Sequence, residues 1–187
     1  MKKELILALR FTLVTTLVFG LIYPLLVTGL SKVLFPKQAA GSLIEKNGHV
    51  VGSKLIGQSF SADKYFHPRP SNAGNGYDAS ASSPSNLAPT NQALIDRVKS
   101  DVAKLQQENP GVPIPADLVT ASGSGLDPEI SPAAADFQIP RIAKARGISV
   151  DSLKALVARH TQARTWSIFG EPRVNVLELN LDLDSLK

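Results

Sequence analysis

The residues in this chain that could bind metals, attack substrates or move protons are few and scattered. The three histidines, His49, His67 and His160, stand far apart and lack the close spacing by which imidazoles share a metal ion, so no metal site is expected. Cysteine is absent, which excludes disulfides, thiolate nucleophiles and cysteine-based metal centres without naming a compartment. Ser124 follows Ser122 where a nucleophile elbow would need glycine, so no G-x-S-x-G turn exists. Nor is there a G-x-x-x-x-G-K-[ST] loop to cradle phosphates. The run Ser122-Gly123-Ser124-Gly125 could aim backbone N–H groups at an anion, but so short a run reads first as a turn. Asp127, Glu129 and Asp136 lie near it without forming an evident acid–base pair, and read as solvated carboxylates. No catalytic residue is assigned.

With little chemistry to place, the elements themselves carry the argument. Phe11 to Ser31 is uncharged throughout, and as a helix it would cover the roughly 30 Å of a bilayer's hydrocarbon core. The expected organisation is an N-terminal cytoplasmic tail over 1–10, a transmembrane helix over 11–34 and a soluble α+β domain over 35–187. The run exceeds the h-region of an export signal, and Gln38-Ala39-Ala40-Gly41 offers Gln38 where a cleavage site wants a small residue. An uncleaved anchor is expected. Lys2, Lys3 and Arg10 against Glu4, with Lys32 and Lys37 beyond the span, favour a cytoplasmic N-terminus modestly, which would put the domain outside, in the periplasm where one exists. Within the span, Thr12, Thr16, Gly20, Pro24 and Thr28 recur every four residues. They form one ridge of small side chains suited to packing against a partner helix in lipid, and Pro24 should kink the helix. Half of the net charge of +4 sits in the first ten residues, so no basic stripe speaks for nucleic acid.

In the soluble part, Lys46-Asn47-Gly48 between two apolar runs predicts a hairpin, and Leu55–Phe60 a further strand. Residues 66–89 are rich in Ser, Pro, Ala, Asn and Gly, which fits a flexible loop. Yet Tyr65, Phe66, His67, Arg69 and Tyr77 lie in or beside it, and composition leaves disordered and ordered readings open. Thr90-Asn91 caps a helix with Leu94, Ile95, Val98, Val102 and Leu105 on one face, ended by Asn109-Pro110-Gly111. Ser131-Pro132 opens a short helix that Pro140 interrupts and Gly147 ends. Ser149 caps another, with Val150, Leu153, Leu156 and Val157 inward. Leu177, Leu179, Leu181 and Leu183 alternate with Glu178, Asn180, Asp182 and Asp184, predicting a strand with its polar side in water.

Several stretches, taken in order, resemble one family. They are Gly57-Gln58-Ser59-Phe60, Tyr65-Phe66-His67-Pro68-Arg69-Pro70-Ser71, Ser85-Asn86-Leu87-Ala88-Pro89-Thr90-Asn91, the run from Pro115 to Pro128, and Gly170-Glu171-Pro172-Arg173-Val174-Asn175-Val176-Leu177-Glu178-Leu179-Asn180. Over essentially its whole length, span included, the chain is similar to the C subunits of the bacterial Kdp potassium-transporting P-type ATPases. Glu129 stands where that family often has His or Asn. The resemblance implies an inner-membrane complex with a channel-like K⁺-translocating subunit, an ATP-hydrolysing P-type subunit and, where present, a small accessory subunit. This chain would be a non-catalytic accessory partner, and it lacks the Asp-Lys-Thr-Gly phosphorylation motif. The family's C subunit is described as supporting assembly and as a catalytic chaperone that raises the ATP affinity of the hydrolysing subunit, with transient rather than tight ATP contact. Gln138 is the residue expected at such a contact; otherwise it would be an exposed helix-surface glutamine.

An external domain cannot reach cytoplasmic ATP, so its influence would pass through partner subunits, or it would cap the ion entrance. On this resemblance residues 66–89 become an ordered docking loop. The alternative is a membrane-anchored extracytoplasmic enzyme or ligand-binding module acting alone.

Overall fold

A computed structural model describes residues 1–186. The chain divides into two compact units, the first Met1–Val51 and the second beginning at Gly52.

The first unit is dominated by a continuous helical run, Lys2–Leu34, long and apolar enough to cross a membrane. It consists of α1 (Lys2–Leu17), a π turn (Val18–Ile22) and α2 (Tyr23–Leu34). Pro24 explains the π turn. A proline inside a helix offers no N–H and its ring crowds the carbonyl four residues back. The backbone widens by one residue instead, so that the Tyr23 N–H donates to the Val18 carbonyl. The disturbance expected at Pro24 is thus taken up in the preceding turn. A short helix α3 (Pro36–Ala39) follows, then β1 (Leu43–Lys46) and β2 (His49–Ser53). Asn47 and Gly48 join the strands with φ of 54° and 77°, the left-handed pair that a tight hairpin requires.

At the start of the second unit, Leu55–Phe60 is not the expected strand. The Ser53 hydroxyl accepts the Leu55 N–H at 3.1 Å and turns the chain, leaving Leu55 and Ile56 exposed. Helix α4 (Gln92–Glu108) begins at Asn91, whose side chain accepts the Ala93 N–H, and ends at Asn109. Its apolar face is only half-buried. A single 3₁₀ turn, Ala116–Leu118, leads to β3 (Glu129–Ile130) and α5 (Pro132–Arg146). Ser131 caps α5, and Gly147 at φ 68° ends it. Pro140 does not interrupt this helix. Burial of Phe137, Ile139 and Ile142 around it outweighs the roughly 3 kcal/mol that an internal proline costs.

Helix α6 (Val150–His160) starts at its Ser149 cap and buries Leu153, Leu156 and Val157. Val150, expected inward, lies in the first turn and faces solvent. Strands β4 (Thr161–Gln162) and β5 (Arg173–Asn175) complete a three-stranded antiparallel sheet of order β3-β5-β4. Ile130 and Thr161 both pair with Val174.

The alternating C-terminal run is helix α7 (Val176–Leu183), not a strand. The Asn175 side chain accepts the Glu178 N–H at 3.0 Å, capping the first turn. Val176, Leu179, Asn180 and Leu183 then share the buried face at spacings of three and four. The core lies where α5, α6 and α7 pack around β5, and Phe66 from the long loop joins it.

Candidate functional site

The longest irregular segment, which joins β2 to α4, is ordered by partners distant in sequence. Two buried side-chain amides hold the backbone of consecutive residues in it. Asn180 on α7 accepts the Phe66 N–H and donates to the Phe66 carbonyl, both at 2.9 Å. Gln138 on α5 accepts the His67 N–H at 2.7 Å and donates to the His67 carbonyl at 3.1 Å. Each amide mimics a neighbouring strand by presenting one acceptor and one donor to one residue. Gln138 is only 1% exposed, so it is not a helix-surface glutamine. Its amide also donates to the Ala134 carbonyl and accepts from Arg141.

Two arginines extend the clamp. Arg141 donates to the carbonyls of Asp63 and Tyr65 and pairs with Glu108 at 2.8 Å. Arg146 donates to the Lys64 carbonyl at 2.7 Å, pairs with Asp184 at 2.7 Å, and lies 5.0 Å from the centre of the Tyr65 ring. Tyr65 also stacks edge-on against Phe60 at 5.6 Å and donates to Asp184. Among the described residues no buried side-chain polar atom is left without a partner, as such a network requires.

Further along the loop, Arg69 forms an ion pair with Asp127 at 2.8 Å and reaches the Thr120 carbonyl at 3.3 Å. The Tyr77 hydroxyl donates to the Arg69 carbonyl. Burial, and then the nearby Asp127 carboxylate, push the Tyr77 phenol well above its ordinary value of 10, so it remains a proton-bearing donor. The Ser71 hydroxyl donates to the Gly125 carbonyl at 2.6 Å and accepts the N–H groups of Ala73 and Tyr77.

Gly125 explains the Ser122–Gly125 run. Its φ is 67°, and a Cβ there would stand 2.7 Å from the Ala73 nitrogen and the Ser83 oxygen. The run is a turn pressed against the loop, with the Ser124 carbonyl accepting from Ser82 and Ser83.

Tyr65, Phe66, His67, Arg69 and Tyr77 thus come together in one ordered segment, in different roles. Phe66 is a core residue with no exposed surface. His67, Arg69 and Tyr77 line a cleft of about 500 Å³ between the loop and the C-terminal half of α4. Phe60, Pro68, Pro70, Leu105 and Leu118 supply its apolar wall. The cleft's carboxylates are already paired, Asp101 with Arg97 and Glu108 with Arg141. The His67 imidazole is held below its ordinary value of 6.5, first by burial and then by Arg141. Among the described residues no three of His, Asp and Glu gather as metal ligands. These groups, held by the bonds above, fix the shape of the cleft.

The membrane ridge residues Thr12, Thr16, Gly20, Pro24 and Thr28 are all exposed on the helix. A Cβ at Gly20 would meet nothing closer than Thr16 Cγ2 at 3.8 Å. Nearly every other residue of Lys2–Leu34 is exposed as well, so exposure does not set this side apart.

Sequence reasoning missed Asn180, Arg141 and Arg146. The alternation puts Asn180 on the water-facing side of a strand; in the structure it is 2% exposed. A usable signal existed in Asn175-x-x-Glu178, the spacing of a helix start, which would have put Asn180 on a helix.

Among the described residues, one apolar helix long enough to cross a membrane, joined to a small α+β domain in which two buried amides fix a surface loop, defines the class. Comparison with known proteins narrows this. The family model for the c chain of the K⁺-transporting ATPase, KdpC, matches residues 5–185. The potassium-transporting ATPase KdpC subunit of Koribacter versatilis is 59% identical over 184 residues, covering 98% of this chain and 95% of the relative. That of Rhodopseudomonas palustris strain BisB18 is 56% identical over 199 residues, covering all of both. The KdpC subunit of Rhodospirillum rubrum is 58% identical over 171 residues, 90% of this chain and 89% of its own. The chain belongs to the KdpC family, the c chains of K⁺-transporting ATPases.

Proposed function

We propose that this chain is the accessory subunit of an ATP-driven potassium-uptake pump of the inner membrane. In this reading it supports assembly and raises the ATP affinity of the hydrolysing subunit. The observation that carries the reading is the family match over residues 5–185. The helix joins the complex through the Thr12–Thr28 ridge, where small side chains let a partner helix approach closely. The segment from Tyr65 to Tyr77 is the docking surface of the domain, held in shape by Gln138 and Asn180. Gln138 contributes by fixing His67 rather than by touching nucleotide, because its amide is fully occupied. ATP is bound by the hydrolysing partner, and with the N-terminus in the cytoplasm the domain acts on it through the channel-like subunit. A tenfold rise in affinity needs only about 1.4 kcal/mol of coupling.

The test is co-purification and K⁺-stimulated ATPase activity of the complex with and without this chain. Loss of activity, or a weaker apparent ATP affinity, is expected on omission. Full assembly and unchanged ATP dependence would overturn the proposal. Gly20→Leu should weaken co-purification while the chain still inserts, since nothing within the helix itself obstructs the larger side chain.

A further inference from the structure

Between β4 and β5 the chain makes a projecting turn whose tip is apolar and exposed. Trp166 is 82% exposed, Ile168 70% and Phe169 59%. An antiparallel bridge between Thr165 and Phe169 closes the turn, and the Trp166 and Phe169 rings meet edge-to-face at 6.0 Å. We propose that this tip dips into the bilayer surface, giving the domain a second membrane attachment beyond its helix.

The backbone argues that the tryptophan is there for what its side chain does. Trp166 and Ser167 have φ of 52° and 62°, a left-handed pair that costs residues other than Gly, Asn and Asp on the order of 1–2 kcal/mol each. The same chain meets the same geometric demand at Asn47-Gly48 with the residues that tolerate it. A bulky, exposed indole in that conformation is disfavoured on both counts, and strain of this kind collects at functional positions.

Three features favour lipid over a protein pocket. Each N–H from Ser167 to Phe169, and that of Thr165, donates within the turn itself, to the carbonyls of Arg164, Thr165 and Phe169. The Trp166 N–H takes no such partner, which places the tip at the hydrated headgroup level rather than in the hydrocarbon, where every backbone group must be satisfied internally. A chain held at a bilayer by a helix of membrane-crossing length needs little further area to keep a second contact with it. Finally, the charges at the base of the turn cancel. Arg164 and Glu171 pair at 2.5 Å, where they can rest among zwitterionic headgroups while the indole takes the interfacial position that tryptophan favours.

Trp166 is the single tryptophan of the chain, so its fluorescence reports this tip alone. The full-length chain is reconstituted into phosphatidylcholine vesicles with plain or brominated acyl chains. Loss of emission in the brominated vesicles is expected, with little effect of aqueous iodide. The double variant Ile168→Asp with Phe169→Asp, which keeps the reporter and alters only exposed positions, should recover the emission and become iodide-sensitive. Wild-type emission untouched by bromine and quenched by iodide would overturn the proposal. So would equal bromine quenching in the double variant, and so would protection that appears only when the other pump subunits are added, which would mark a protein pocket instead.

Discussion

Replacing Asn180 by leucine removes one of the two amide clamps while nearly conserving side-chain size. Both bonds to Phe66 are 2.9 Å, and Phe66 is completely buried, so water cannot replace what leucine lacks. One N–H and one carbonyl are left unpaired, each costing about 1–3 kcal/mol, or about 2–6 kcal/mol together. The added apolar contact of leucine offsets about 1–2 kcal/mol of that. The net loss of about 1–4 kcal/mol is a large part of the roughly 5–15 kcal/mol that holds a domain folded. Equilibrium unfolding of the full chain in detergent measures it, and hydrogen exchange at the Phe66 amide localises it. Exchange there should accelerate more than at amides in α6. The companion change Gln138→Leu should act on His67 in the same way, and the double variant should lose less than the sum because the clamped residues are neighbours. An Asn180→Leu chain within about 0.5 kcal/mol of the parent, the range of an ordinary surface substitution, would refute the reasoning.

Other consequences follow from the same structure. Gly57→Ala places a methyl group 2.5 Å from the Asp127 carbonyl oxygen and 3.0 Å from the Tyr77 ring. Both neighbours are packed, so a loss of about 1–3 kcal/mol should appear in thermal unfolding. His67 has a folded-state value below its ordinary 6.5, so the fold favours the neutral ring. Its contribution is intact above that pH and is lost as pH falls through 6.5 toward the lowered value; unfolding titrations should show this slope, and His67→Gln should flatten it. Replacing Trp166-Ser167 by Asn-Gly relieves left-handed strain of about 2–4 kcal/mol in all and gives up the Trp166–Phe169 ring contact, worth about 0.5–1.5 kcal/mol. Stability should therefore rise by about 1–3 kcal/mol, read as a higher midpoint of unfolding.

Features written in short-range chemistry were legible in the sequence. The uncharged run from Phe11 to Ser31 could only be a long apolar helix, because its length and composition decide that without reference to anything else. Asn47-Gly48 announced the hairpin, and Asn91, Ser131, Ser149 and Gly147 marked helix ends, since caps and left-handed turns involve atoms a few residues apart. The family was legible too, from motifs spread over the whole chain.

What failed was whatever depends on a distant partner. The leucines after Val176 alternate as a strand would, yet the run also fits a helix, and only the cap from Asn175 and the packing of Leu179 and Leu183 into the core decided between them. Pro140 looked like a stop because the burial that carries α5 through it comes from other elements. Gln138 and Asn180 read as surface polar residues because their partners lie 71 and 114 positions away. Local periodicity tells which residues share a face, but it does not tell what that face meets. Whether a loop rich in Ser and Pro hangs free or is pinned by two amides and two arginines was therefore settled by tertiary contacts alone.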